Sequence, residues 1–233
     1  MSEWWTYRLS DLLLFSPETY YRLFELYNAE IWPAQLVAVA AGLAILVLVL
    51  GLTRSNGRVV AALLAAAWLF VAWGYLGRYA AINWAATYFA WGFVVEALLL
   101  VLIGASGGRL SFAAVKAPIA KVGIALFVFV LLLQPLIGPL IGRSWSGVEL
   151  FGITPDPTVL ATIGVLLAAD RMRWDLLLIP LLWCAVSGAT LWAMASPDAL
   201  VMPAAGLLAI GLGLGKSLRP SRGPQRECRE PGS

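Results

Sequence analysis

The sequence predicts an all-α fold. It reads as a polytopic bundle of about seven transmembrane helices, N-terminus outside and C-terminus in the cytoplasm, preceded by an interfacial amphipathic helix. Three observations carry this. Of the 233 residues, 61% are hydrophobic and 12% charged, about half the charged fraction of an ordinary soluble domain. The mean hydropathy of +0.84 leaves too little polar surface to face water. The apolar residues gather into segments near the roughly 20 residues that a bilayer crossing needs, and Lys and Arg sort between alternate loops.

Taken in order, residues 1–30 form an extracytoplasmic interfacial segment. Ser16-Pro17-Glu18 starts a helix, with Ser16 as cap, Pro17 in the first turn and Glu18 at the positive end of the dipole. Tyr20, Phe24, Tyr27 and Ile31 share one stripe, away from Glu18, Arg22 and Glu25, and Trp4, Trp5 and Tyr7 precede it. Rings of this amphipathic kind settle at headgroup level. Glu3 and Asp11 stand where a signal peptide needs a basic region.

The bundle occupies residues 31–217, in apolar segments at roughly 31–53, 59–79, 84–104, 118–141, 157–169, 176–195 and 199–215. The fifth is short, and spans only if Phe151–Pro157 descends into the protein before the helix begins, because free backbone groups at membrane depth need cover. Gln134-Pro135 with Pro139 should kink the fourth. Residues 218–233 are charged and rich in Pro and Gly, which predicts a disordered basic cytoplasmic tail.

Orientation follows from charge. Arg54, Arg58, Arg109, Lys116, Lys121, Arg171, Arg173, Lys216 and the tail arginines fall on one side, whereas Arg8, Arg22, Arg78 and Arg143 fall on the other. The richer side is cytoplasmic by the positive-inside rule, and the location this implies is the bacterial inner membrane.

Composition also excludes functions. A net charge of +3, scattered, offers no footprint for nucleic acid. The absence of histidine removes the commonest metal ligand and the commonest general base. No cofactor, metal or catalytic motif stands out, so an enzyme is disfavoured. Ser187-Gly188 lacks the flanking glycines of a nucleophile elbow. No lysine lies inside the seventh segment, which rules out a retinal protein. Cys184 and Cys228 fall at places that cannot meet.

The unusual residues collect in the outer loops: Asn28 and Trp32 in YNAEIWPAQ, Tyr75 and Arg78, Asn83 in INWAA, then Arg143, Asp156 and Thr158 in the longest loop, with Ser196-Pro197-Asp198 last. A site, if present, opens outward. Asp156 has two readings. It caps the fifth span, satisfying an orphan N–H, or it helps form a polar site at a helix N-terminus beside Arg143 and Arg78.

Glu96 sits in the middle of an apolar span, where a charged carboxylate costs about 2.5–3.5 kcal/mol on insertion scales. It is either a neutral carboxyl hydrogen-bonded to Gln134, Ser187 or Thr190, or a functional acid that meets water or a cation. Glu96 with Gln134 is thus a candidate buried ionisable site. Trp32, Trp73, Trp84, Trp91 and Trp145 form an outer belt, and Trp183 lies deeper, lining a cavity or filling the bundle.

YNAEIWPAQ, INWAA, the Gly-Arg…FGITPDPT loop and PLLWCAVSGA together resemble an uncharacterised family of bacterial multi-pass membrane proteins, classed as a domain of unknown function. The resemblance covers most of the chain before the tail and implies topology without an activity. In the family pattern a histidine often follows the tyrosine near Tyr75, another follows the glycine near Gly142, and the later loop often reads Pro-Cys-Pro-Thr. This chain has Leu76, Arg143 and Asp156 there, so any soft-metal site of that pattern is lost.

Two functions remain. One is a small-solute or ion transporter or permease component with an outward-opening polar site. The other is a non-catalytic scaffold or accessory subunit in the lipid bilayer, whose outer loops engage a membrane-protein partner or a second copy.

Overall fold

The computed structural model describes residues 15–51 and 56–218. The expectations for Trp4, Trp5, Tyr7, Arg54, Cys228 and the basic tail lie outside those residues. Nine α-helical elements and no strand occur among the described residues: α1 (Pro17–Glu30), α2 (Ala34–Leu50), α3 (Asn56–Tyr79), α4 (Ala86–Ser106), α5 (Pro118–Leu132), α6 (Gln134–Leu140), α7 (Pro155–Ala168), α8 (Trp174–Ala193) and α9 (Val201–Ser217). Three of them, α3, α4 and α8, are long and apolar enough to cross a membrane, and the number rises to five if each of two bent pairs is one span. α7 and α9 are shorter apolar helices.

Local chemistry sets several of these boundaries. Ser16 Oγ accepts from Thr19 N–H at 3.3 Å and Pro17 opens α1, as the sequence requires. α1 then meets α2 at 92°, and the corner is held by Gln35, whose amide donates to Asn28 O at 2.7 Å. The break at Gln134-Pro135 separates α5 from α6 by 49°, because proline has no N–H to continue the ladder. Gly142, at φ +90°, ends α6, and Arg143 N–H turns back onto Gly138 O at 2.9 Å.

The core is organised around α7. From Phe151 to Ala169 every residue except Asp156 is buried, so the chain enters the interior before the helix begins. Gly152, at φ +73°, makes that entry turn, with space for a Cβ limited by Ala38 and Ala67. α5, α8, α9 and α3 enclose α7. The α5 contact is backbone on backbone: a Cβ on Gly123 would lie 2.5 Å from Gly164 O, and one on Gly164 would lie 2.8 Å from Gly123 O.

At the far end of α7 from α1, Lys216 of α9 donates to the carbonyls of Leu167 and Ala169. Asp170 accepts from Ser111 Oγ and from Ala114 N–H. Burial raises the Asp170 carboxyl, but these hydrogen bonds outweigh it and hold it below its ordinary value.

Much of the helical exterior is apolar as well. α2 buries Ala38, Gly42, Ile45 and Val49 on one stripe, yet leaves Val37, Val47 and Leu43 exposed. A helix that is hydrophobic all round belongs in a large core or in lipid.

Candidate functional site

The longest loop, residues 141–154, folds under α1. Asn28 Nδ2 donates to Ser146 O at 2.8 Å and Val148 O at 2.9 Å, which fastens the loop to the helix. This brings Arg143 to the loop between α8 and α9. Its Nη2 donates to Asp198 Oδ1 at 2.7 Å, Ser196 Oγ at 2.6 Å and Tyr21 Oη at 2.8 Å, and its guanidinium lies 4.1 Å from the Tyr21 ring centre. Arg143 Nη1 stands 3.8 Å from Glu149 Oε1.

Asp156 enters from the first turn of α7. Its Oδ1 accepts from Trp183 Nε1 at 2.7 Å, and its Oδ2 accepts from Ser187 Oγ at 2.6 Å, both on α8. Gln134, at the α5–α6 break, completes the wall. Gln134, Arg143, Glu149, Asp156, Asp198 and Tyr21 line a cavity of about 30 Å³. That is room for one or two water molecules.

Glu149 is the group whose titration this arrangement alters most clearly outside the helices. Burial first, then the Asp156 carboxylate, push its carboxyl from 4.5 up to about 8, against the opposing pull of Arg143. Among the described residues, no group of three His, Cys, Asp or Glu side chains converges as a metal site would require.

Two readings of the sequence need correction. Asp156 does not cap α7: Thr154 is the N-cap residue, Pro155 opens the helix, and Asp156, one residue further on, turns sideways to α8. A proline that supplies no N–H leaves less for a cap to satisfy, and the indole and hydroxyl of α8 offer better donors. Glu96 is fully buried, and neither of its oxygens has a partner. The expected partners are committed elsewhere: Ser187 to Asp156, Thr190 to Val186 O, while Gln134 opens onto the cavity. No hydrogen bond joins Glu96 to Gln134, the two candidates named as one buried site.

The remaining candidates fall outside the cavity. Arg78 does not join Arg143. It makes a bidentate pair with Glu30, at 2.8 and 2.5 Å, donates to Gly74 O, and covers the Tyr27 ring. That pairing holds the exposed Glu30 carboxyl below its ordinary value. Tyr75 is buried with an unpartnered hydroxyl, 4.8 Å ring to ring from Phe24. Asn83 holds its own turn by bonding Tyr79 Oη and Ala85 N–H. Thr158 donates to Thr154 O and accepts from Gly152 N–H, fixing the entry to α7. Trp32 is 65% exposed and lines nothing polar.

Sequence reasoning gathered Gln134, Arg143 and Asp156 but missed Glu149, Tyr21, and the roles of Asp198 and Trp183. Of these, Asp198 carried a signal as the lone acid of its turn, and Trp183 as the indole set deeper than the others. Neither a curated protein nor a solved structure matches the chain. Residues 17–223 match the model of a family of unknown function (DUF6064), and the chain belongs to that family.

Proposed function

We propose that this is a multi-pass bacterial inner-membrane protein of seven spans, N-out and C-in, that binds and passes a small solute or ion through an outward-opening polar site. Three long apolar helices, two bent pairs and two shorter apolar helices support the span count, since they follow the seven apolar segments of the sequence in order. The distribution of Lys and Arg supports the direction.

The observation that carries the function is the small cavity. Carboxylates of Glu149, Asp156 and Asp198, one guanidinium and one amide surround a space for a water-sized guest. Buried titratable groups perturbed in this way, as Glu149 is, gather at functional sites more often than in packing. The small volume favours an ion or a proton over a larger solute.

A scaffold reading rests on a different observation. Tyr88 and Trp91 of α4 are exposed, Trp84 in the turn before it packs edge-on to Tyr88 with ring centres 5.9 Å apart, and such a stripe suits a helix of a partner or a second copy. Flux separates the two. Purified protein in proteoliposomes with an internal pH dye should dissipate an imposed cation or proton gradient. Glu149→Gln should slow it without lowering the melting temperature. Vesicles no leakier than empty ones, under every gradient tried, would leave the scaffold reading standing.

A further inference from the structure

Two loops meet at the end of the bundle away from α1. Residues 107–117 join α4 to α5, and residues 169–173 join α7 to α8. Hydrogen bonds tie them together. Asp170 N–H donates to Ser111 O at 2.7 Å, and the Asp170 carboxylate accepts from Ser111 Oγ and, at 2.6 Å, from Ala114 N–H. Beside this tie lies an open pocket of about 530 Å³, lined by Gly108, Arg109, Ser111, Arg171 and Arg173. Its charged lining is wholly basic.

Part of that charge is unspent. Arg173 gives its fork to Asp175, Nε to Oδ1 at 3.0 Å and Nη2 to Oδ2 at 2.5 Å. Arg109 and Arg171 are exposed, and neither pairs with a carboxylate among the described residues. A fourth guanidinium stands against the wall. Gly108, at φ +58°, turns the loop, and a Cβ there would lie 2.9 Å from Arg58 Nε. The acids beside the pocket are engaged, Asp175 by Arg173 and Asp170 by the loop donors. Free guanidinium forks match the oxygens of a phosphate group and hold them bidentately.

We infer that this pocket binds the phosphate group of an anionic lipid headgroup, with Arg109 and Arg171 as the residues that grip it. The setting favours a lipid as the source. The ends of α4 and α8 adjoin the pocket, and these helices are neighbours, Phe93 lying edge-on to Trp183 with ring centres 5.1 Å apart. Both leave leucines exposed in the turns nearest the pocket, Leu98 and Leu102 on α4, Leu178 and Leu182 on α8. With the bundle in a bilayer, such leucines meet acyl chains while the arginines sit at headgroup depth, where basic pockets recognise anionic lipids. The volume also has room for more than a bare phosphate. This inference rests on the proposed membrane span, and on neither transport nor the polar cavity beside α1.

The test uses the full chain in a neutral detergent, with bound lipid counted by native mass spectrometry as phosphatidylglycerol or phosphatidylcholine is added. Phosphatidylglycerol should fill one saturable site, and phosphatidylcholine, whose phosphate is offset by its own ammonium, should not. Arg109→Gln with Arg171→Gln should weaken that site at least about tenfold, through lost charge-assisted hydrogen bonds. Lys116→Gln with Lys121→Gln removes the same charge from the same end of the molecule, outside the pocket, and should leave the site in place. Arg109→Lys with Arg171→Lys keeps the charge, removes the fork and should also weaken binding, which covers the case in which the Gln pair fails to fold. Equal losses from the arginine and lysine pairs would mean a diffuse basic face and overturn the inference, as would equal binding of phosphatidylcholine. Inorganic phosphate that displaces phosphatidylglycerol at equal concentration would make free phosphate the ligand and overturn the lipid assignment. Because binding is read in detergent, failed flux in vesicles would sink the transport proposal alone, and a missing phosphatidylglycerol site would sink this one alone.

Discussion

At the first turn of α7 the Asp156 carboxylate holds two donors of α8, one on each oxygen. Asp156→Ala strands both the indole N–H and the serine hydroxyl, at about 1–3 kcal/mol for each group left unsatisfied. Asp156→Asn keeps an acceptor for Trp183 and presents its amide to the Ser187 oxygen, so most stability should return. Thermal denaturation of the pair checks this; an Asn variant as unstable as Ala would mean that the charge itself holds α8. Glu149 predicts a pH profile. Its folded affinity for the proton is raised, from 4.5 to about 8, so the folded chain holds a proton that the unfolded chain releases. Stability is then greatest below about pH 4.5 and falls as pH rises through about 8. Glu149→Gln should flatten that slope.

Glu96 is the reverse case, a polar group with nothing to hold. Since both oxygens lack partners, Glu96→Leu should stabilise the protein by about 1–3 kcal/mol, by removing an unsatisfied buried polar group. A loss of melting temperature on that change would reveal a partner. That Glu96 is unusual was legible in the sequence, because a lone acid breaks an apolar run. Its lack of a partner was not, since the hydroxyls at matching depth were free to be counted until the fold assigned them to Asp156 and to Val186 O.

Among elements, the α5–α7 crossing constrains the core through backbone lying on backbone. Gly123→Ala places a methyl against Gly164 O and Ala168 N, both backbone atoms that no rotamer change can move. The helices must separate, at about 1–3 kcal/mol for overpacking, and a lower midpoint in denaturant measures it. Gly211, with open space around it, should accept Ala without loss. Element starts were legible where a single proline opens a helix, as at Pro17 and Pro118, whereas of the two prolines at 155 and 157 the sequence pointed to the second and the helix begins at the first. The descent of residues 151–155 also followed from the short fifth segment, since only an interior entry could complete it. The π-helical turns at Ala72–Leu76 and Leu100–Ser106 left no mark on the sequence pattern. They insert one residue per turn without altering composition.

For the molecule as a whole, the seven-span proposal predicts that a reporter active only in the cytoplasm will report inside when fused after Ser233. A thiol label placed at Asn56 should resist membrane-impermeant reagents added outside. Labelling of Asn56 from outside would reverse the bundle. The apolar segments could be read from sequence because lipid imposes one requirement along the whole chain. The cavity could not. Arg143 meets Tyr21 from 122 positions away and Asp198 from 55, and contacts of that range carry no local period.

The Lys216 clasp on α7 has a consequence for biogenesis. Leu167 and Ala169 leave the ribosome well before Lys216 does, so that end of the central helix waits for α9 to arrive. Until then its carbonyls and its whole α9 face lie open to lipid or to quality-control proteases. Nascent chains arrested after Ala193 should be degraded rapidly in a pulse-chase, and chains extended past Ser217 should become protease-resistant in one step. The core around α7 therefore closes only once α9 has emerged.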